Sequence, residues 1–394
     1  MIGIRECVSD VERIKDQHVH FVGKRVEAVI AFYISIFELL AEIKKNPAIT
    51  ERAVTSRVMT AARHSHLKDY KGLLNPLLKK KFRINNVDNA YNIKFGKMRG
   101  KEVNKKVFTE VASLLALMMN HYKELLEIDF NADYTNTINF YDICREEFKY
   151  IDFLLPHIFD YDEWFAKLEH KDSWEPYKLT KGLGLNACPY CNRSYIYTIS
   201  KLNGKKVARP QLDHFLPKSK HRLLALSFFN LIPSCSICNS SIKGAVSTGY
   251  DSHISPYQVN LKHSMIRFTY NPKTYEASIG ASSDLDVTAV YNGDPADNNL
   301  KKKVQGNIDL FCLNDLYSKH ADVVEEIIRK RRESNDEYIK MIQTAFPSLA
   351  LSFEDAYRLA YGNFFNESEF HKRPLAKLTK DIAIELNALI PFKP

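Results

Sequence analysis

No run of the sequence is long and apolar enough to cross a bilayer. The strongest candidate, Ala28–Phe37, stays free of charge for ten residues and is closed by Glu27 and Glu38, against the roughly 18 or more that a helical span needs. A buried helix is the expected form. The opening stretch MIGIRECVSDVERIKDQ carries charge early and lacks an apolar signal core, so the expected location is cytoplasmic. There, cysteines serve as free thiols or metal ligands rather than as disulfides. Internal repeats and low-complexity segments are absent, which excludes repeat architectures. A P-loop is absent too, so any ATP-driven step belongs to another protein.

What is present fits a globular chain. It has 394 residues, 45% apolar and 12% aromatic, enough for two or three domains with cores. The net charge of +9 favours an anionic partner, and the charge is unevenly spread. Lys79–Lys106 holds ten Lys/Arg against Asp88 and Glu102, interleaved with Phe82, Tyr91 and Phe95. That stretch reads as either a phosphate-tracking surface or a solvated helix face. His121–Glu175 holds fourteen acids against five bases, and Lys181–Pro256 ten bases against Asp213 and Asp251. The acidic stretch reads as a mask for the basic segment or as a plain solvated surface.

Seven cysteines sort into two classes. Cys7, Cys144 and Cys312 stand alone and are expected to pack as small apolar residues. Cys188 and Cys191 form CPYC, Cys235 and Cys238 form CSIC, and 43 residues lie between the pairs. Two such knuckles predict a tetrahedral four-cysteine Zn²⁺ site with no open position, hence a structural one.

Helical periodicity dominates up to about residue 180, as in VEAVIAFYISIFELLAEIKK and VFTEVASLLALMMNHYKELLEI. It stops at Gly182 and Gly184, just before the first knuckle. RSYIYTIS is β-rich and KLNGKK carries an Asn-Gly turn. Past residue 256, MIRFTY and LDVTAVY read as strands, and SKHADVVEEIIRKRRESNDEYIKMIQTAF as an amphipathic helix. The expected class is α+β. A helical domain over 1–180 recognises a partner or regulates, a zinc-knuckle core covers 181–256, and a mainly helical extension covers 257–394.

Chemistry concentrates in PQLDHFLPKSKHRLLALSFFNLIPSCSICNSSIKG, from Pro210 to Gly244. A strand ending in Asp213-His214 sets a hard oxygen ligand beside a proton acceptor. Asn230, near the start of a returning strand, has the donors and acceptor to pin the loop between them. Asn239 follows Cys238 directly, so the knuckle fixes its backbone. Lys243 lies one helical turn beyond and is expected to touch phosphate, as are Lys218, Lys220, Arg222 and Arg193. His221, His253, His64 and His66 are read as surface or packing histidines.

The order Asp-His, Asn, Asn within two Cys-x-x-Cys knuckles resembles the HNH endonucleases over residues 186–256. More loosely, HFLPKSK…LLALSFFNLIPSC and KRPLAKLTKDI resemble HNH effectors of bacterial anti-phage systems of the Septu or Zorya type. The resemblance implies a ββα-metal core. It implies that Asp213 and Asn239 hold Mg²⁺ or Mn²⁺, that His214 is the general base, and that Asn230 is a loop brace. Asn239 stands where many members have His. DNA is the implied substrate, with RNA or non-catalytic nucleic-acid binding as alternatives. A separate ATPase or motor is the implied partner. One such centre cuts one strand, so a double-strand break needs a homodimer or two visits.

Overall fold

The computed structural model describes residues 1–45, 106–131, 133–152, 154–167, 174–244, 246, 248–258, 265–334, 338–345 and 350–386. The basic stretch from Lys79 lies outside them except for Lys106, as do His64 and His66. Among the described residues helices predominate, and the strands form three separate two-stranded antiparallel ladders, an α+β composition. No helix there is long and apolar enough to span a membrane.

The chain divides into two compact units. The first is helical and comprises Lys15–Glu175 and Lys218–Asn230. Its long helix, Val11–Lys45, places Val22, Val26, Val29, Ile30, Tyr33 and Ile36 at three- and four-residue spacing, all fully buried. Lys106–Glu127 does the same with Val111, Leu115, Met118, Tyr122 and Leu125. Each such side chain contributes about 1.5–3 kcal/mol on burial. The Tyr122 hydroxyl, which would otherwise be stranded in the seam, donates to Glu27 Oε2 at 2.7 Å. Asp133 caps the next helix, Tyr134–Phe148, by accepting from the Asn136 amide.

His18 ties the segment 218–230 into this unit. It is fully buried, its Nε2 lies 2.8 Å from the Leu226 carbonyl, and Trp174 Nε1 donates to its Nδ1 at 3.1 Å. Those partners require the neutral ring with its proton on Nε2.

The second unit comprises Met1–Ile14, Pro176–Pro217 and Leu231–Pro394. After the helix Pro176–Leu183 come β1 (Ile199–Ser200) and β2 (Lys206–Ala208), joined at Asn203-Gly204 with Gly204 at φ +78°. Next, β3 (Gln211–His214) pairs with β4 (Leu231–Ser234) in the register Asp213 opposite Ile232 and His214 opposite Leu231. A seven-residue π-helix, Ile237–Lys243, follows and ends at Gly244, whose φ of +47° suits glycine. Then β5 (Ile266–Pro272) pairs with β6 (Leu285–Tyr291), with Ile266, Phe268, Leu285, Val287 and Ala289 turned inward. Helices Asn298–Leu310, Ala321–Ser334, Phe353–Tyr361 and Ala376–Glu385 complete the unit.

The division differs from the one expected at residues 180 and 256. The region past 256 does not form a body of its own, because its core is continuous with the knuckles. Phe268 stacks on Tyr317 at 3.9 Å between ring centroids, and the Tyr317 hydroxyl donates to the Cys191 carbonyl at 2.6 Å. Asn192, buried and at φ +47°, donates from Nδ2 to the Phe370 carbonyl and accepts at Oδ1 from the Lys377 amide. Cys144 is buried as expected; Cys7 is only partly buried, and Cys312 is exposed at φ +47°.

Burial lowers the His18 pKa from 6.5 to about 4. The folded state therefore resists protonation that the unfolded chain accepts. His18 costs no stability above pH 6.5 and destabilises the fold progressively as pH falls from 6.5 to 4, by about 3 kcal/mol in all. Urea unfolding of wild type and His18→Gln across that range should show this extra acid sensitivity in the wild type alone.

Candidate functional site

The four knuckle cysteines converge in the second unit. The sulfurs of Cys188, Cys191, Cys235 and Cys238 lie within 4.8 Å of one another, and all four residues are buried. A tetrahedral zinc with Zn–S bonds of about 2.3 Å sets its sulfurs about 3.8 Å apart, so the cluster can hold a metal ion such as zinc. The amides around it agree. Arg193 N donates to Cys191 Sγ, Cys235 N to Cys188 Sγ and Cys238 N to Cys235 Sγ, each at 3.4 Å. Amides aimed at sulfur favour the thiolate, which is the form that binds metal.

Asp213 and His214 end β3 as expected, but their surroundings differ from the expected metal pair. Lys243, one π-turn beyond Asn239, points inward and is 2% exposed. Its ammonium lies 2.8 Å from both carboxylate oxygens of Asp213 and also reaches the carbonyls of His214 and Phe215. Tyr190, inside the first knuckle, donates to Asp213 Oδ2 at 2.6 Å. Its ring is stacked on Phe311 at 4.2 Å. Asn239 lies over a different residue: its Nδ2 donates to Gln211 Oε1 at 2.9 Å, an oxygen shared with the Ser240 hydroxyl at 2.7 Å.

The periodicities explain this. Gln211 and Asp213 share one face of β3, and Asn239 and Lys243 share one face of the helix. The helix therefore lays Asn239 on Gln211 and Lys243 on Asp213. A hard cation shared by Asp213 and Asn239 does not fit this arrangement, since both carboxylate oxygens already accept from an ammonium. Lys243 also departs from the expected phosphate contact: desolvation by burial lowers its pKa, and it has no free surface to offer.

The other expected residues are dispersed. Asn230 is buried in the helical unit, in the turn Phe228–Asn230, and donates from Nδ2 to the Leu224 carbonyl at 3.0 Å within its own loop. Lys218 forms an ion pair with Asp162 and lies 5.0 Å over the Tyr161 ring. Arg222 binds Asp152 Oδ2 at 2.7 Å. Lys220 and Arg222 line a cavity of about 320 Å³ with Tyr141, Arg145 and Lys149. His221, half-buried, meets the Tyr141 hydroxyl at 2.8 Å through Nδ1. Arg193 stands beside the cysteine cluster, with its Nε buried.

Sequence reasoning overlooked Tyr190 and Gln211. Both were marked by position: Tyr190 is the second variable residue of CPYC, and Gln211 lies two residues before Asp213 on the same strand face.

Two outcomes follow. The purified protein should carry one zinc per chain by elemental analysis, and Cys238→Ser or exhaustive chelation should lower Tm by about 10 °C or more. Lys243→Met leaves the Asp213 charge buried without its partner and should cost about 3–5 kcal/mol in urea unfolding. Asp213→Asn combined with Lys243→Met should recover much of that loss.

Searches for related proteins returned no matching family model, no matching curated protein and no matching solved structure.

Proposed function

We propose that the chain is a phosphodiester hydrolase of the HNH kind, acting on DNA. One observation carries this reading. An antiparallel hairpin delivers Asp213-His214 to the end of β3, and a single short helix bearing Asn239 follows β4, with the cysteine cluster clamping the hairpin to the helix. A histidine held at a strand end and only 8% exposed suits removal of a proton from water, a contribution of about 10²–10⁴-fold. The basic segment 181–256 suits a polyanionic substrate. In HNH enzymes a divalent cation supplies charge on the phosphate. Since Asp213 is engaged by Lys243 and Tyr190, no step is assigned to such a cation.

That engagement favours a second reading, a zinc-stapled nucleic-acid-binding module in which Asp213 and Lys243 serve only the fold. Supercoiled plasmid, linear DNA and tRNA, each incubated with Mg²⁺, Mn²⁺ or neither, separate the two. Hydrolysis predicts a cleavage product that falls at least about 100-fold in His214→Ala, with binding retained. Binding without a product under every condition would leave the module reading in its place.

A further inference from the structure

The stretch from the first knuckle to β3 has a surface that neither the cysteine cluster nor the Asp213–Lys243 pair explains. Tyr195 and Tyr197 are 50% and 44% exposed, and their rings stack on each other at 4.7 Å and 19°. The residues between and after them alternate with these tyrosines, Ile196 being 4% exposed. Ile199 in β1 and Val207 in β2 are also exposed, and Leu202 stands fully in solvent at the tip. Two aromatic rings left half in water are a cost that the core gains nothing from.

The same stretch is uniformly basic. From Arg193 to Arg209 there are five Lys/Arg and no Asp or Glu. Lys201 and Lys205 flank the Asn203-Gly204 turn, both exposed, and neither forms an ion pair among the described residues. Arg209 and Lys206 lie over the Tyr177 ring at 5.9 Å and 5.4 Å, so they support the hairpin's base.

The backbone under the tyrosines is held in place. Tyr195 bridges to Ala187, Ile196 N donates to the Asn186 carbonyl at 2.9 Å, and Cys188 N donates to the Ser194 carbonyl at 3.0 Å. The Thr198 hydroxyl donates to that of Thr180 at 2.9 Å. The exposed rings are thus fixed to the first knuckle, which limits the entropy lost when something stacks on them.

We propose that this surface binds single-stranded nucleic acid. Unpaired bases stack on Tyr195 and Tyr197, and the backbone phosphates run along Lys201 and Lys205. Exposed aromatics on a scaffold of one charge sign are what unpaired bases on a polyanion require. An apolar protein surface would leave the cations without partners. The inference deepens the nucleic-acid reading above and rests on it for the class of ligand, but not on cleavage.

The test uses the full chain without added divalent cation, with labelled oligothymidylate, oligouridylate and a duplex of the same length followed by fluorescence anisotropy. Tyr195→Ala combined with Tyr197→Ala should weaken single-strand binding about tenfold or more while leaving its salt dependence unchanged. The Phe pair at the same positions should bind like wild type. Lys201→Ala with Lys205→Ala should instead flatten the dependence of log affinity on log salt, by about 0.7 per lysine. A comparison of the DNA and RNA strands identifies the preferred source of the bases, and either preference supports the proposal. It is overturned if wild type binds neither single strand, if the Ala pair binds like wild type, if the Phe pair is as weak as the Ala pair, or if duplex affinity falls as far as single-strand affinity. Failure here would leave plasmid cleavage by His214 standing. Absence of cleavage alongside tyrosine-dependent binding would remove the hydrolase reading and leave this one.

Discussion

Two short turns, 43 residues apart in the chain, are brought together by four sulfurs, and most of what surrounds them takes its position from that convergence. The first turn carries Tyr190 to Asp213 and, through Asn192 and the Cys191 carbonyl, anchors Phe370, Lys377 and Tyr317. The amide of Ile2 donates to the carbonyl of Pro189, between the first two sulfurs. The second turn starts the π-helix that aims Asn239 and Lys243 back at β3. With a metal ion bound, the cluster would close a long loop and be correspondingly effective, because the entropy of closure grows with loop length. It would also supply what so short a ladder as β3–β4 lacks, since an isolated two-stranded hairpin is marginal in water.

The ion pair of Lys243 and Asp213 is a costly arrangement. Each charge loses its water, and the loss is offset only if the remaining donor sites find acceptors. Here they do: the ammonium meets two carboxylate oxygens and two carbonyls, and the carboxylate gains a phenol from Tyr190. Such a pair brings little net stability but tolerates few alternatives. It selects one register of the helix on the strand, because sliding the helix by a residue would strand both charges.

Much of this was legible. The knuckle spacing announced the cysteine cluster, the 3.6-residue periodicity announced the long helices, and Asn203-Gly204 announced the hairpin turn. MIRFTY and LDVTAVY pointed to β5 and β6. The partner choices were not legible. Whether Asp213 faces Asn239 or Lys243 depends on the offset between a strand and a helix joined only through a metal-type turn. A π-helix, which changes that offset, leaves no mark in composition. The long-range ties of the second unit are of the same kind: Tyr317 and Asn192 connect regions more than a hundred residues apart through a few hydrogen bonds, and no local pattern encodes those. Tyr195 and Tyr197 were noticed only as β-formers, since alternation does not say which face meets solvent.

The route of the chain between the two units has a practical side. It passes from one to the other at residues 14, 175, 217 and 230, and the third and fourth passages bracket the connection between β3 and β4. No single scission therefore yields both units intact. Removing everything before residue 176 would deprive Leu226 of His18 and Arg222 of Asp152, baring Leu223, Leu224 and Phe228 on an orphaned thirteen-residue segment. The connection between the two strands that present His214 belongs to the helical unit, so neither unit is a single contiguous segment that could be expressed by itself.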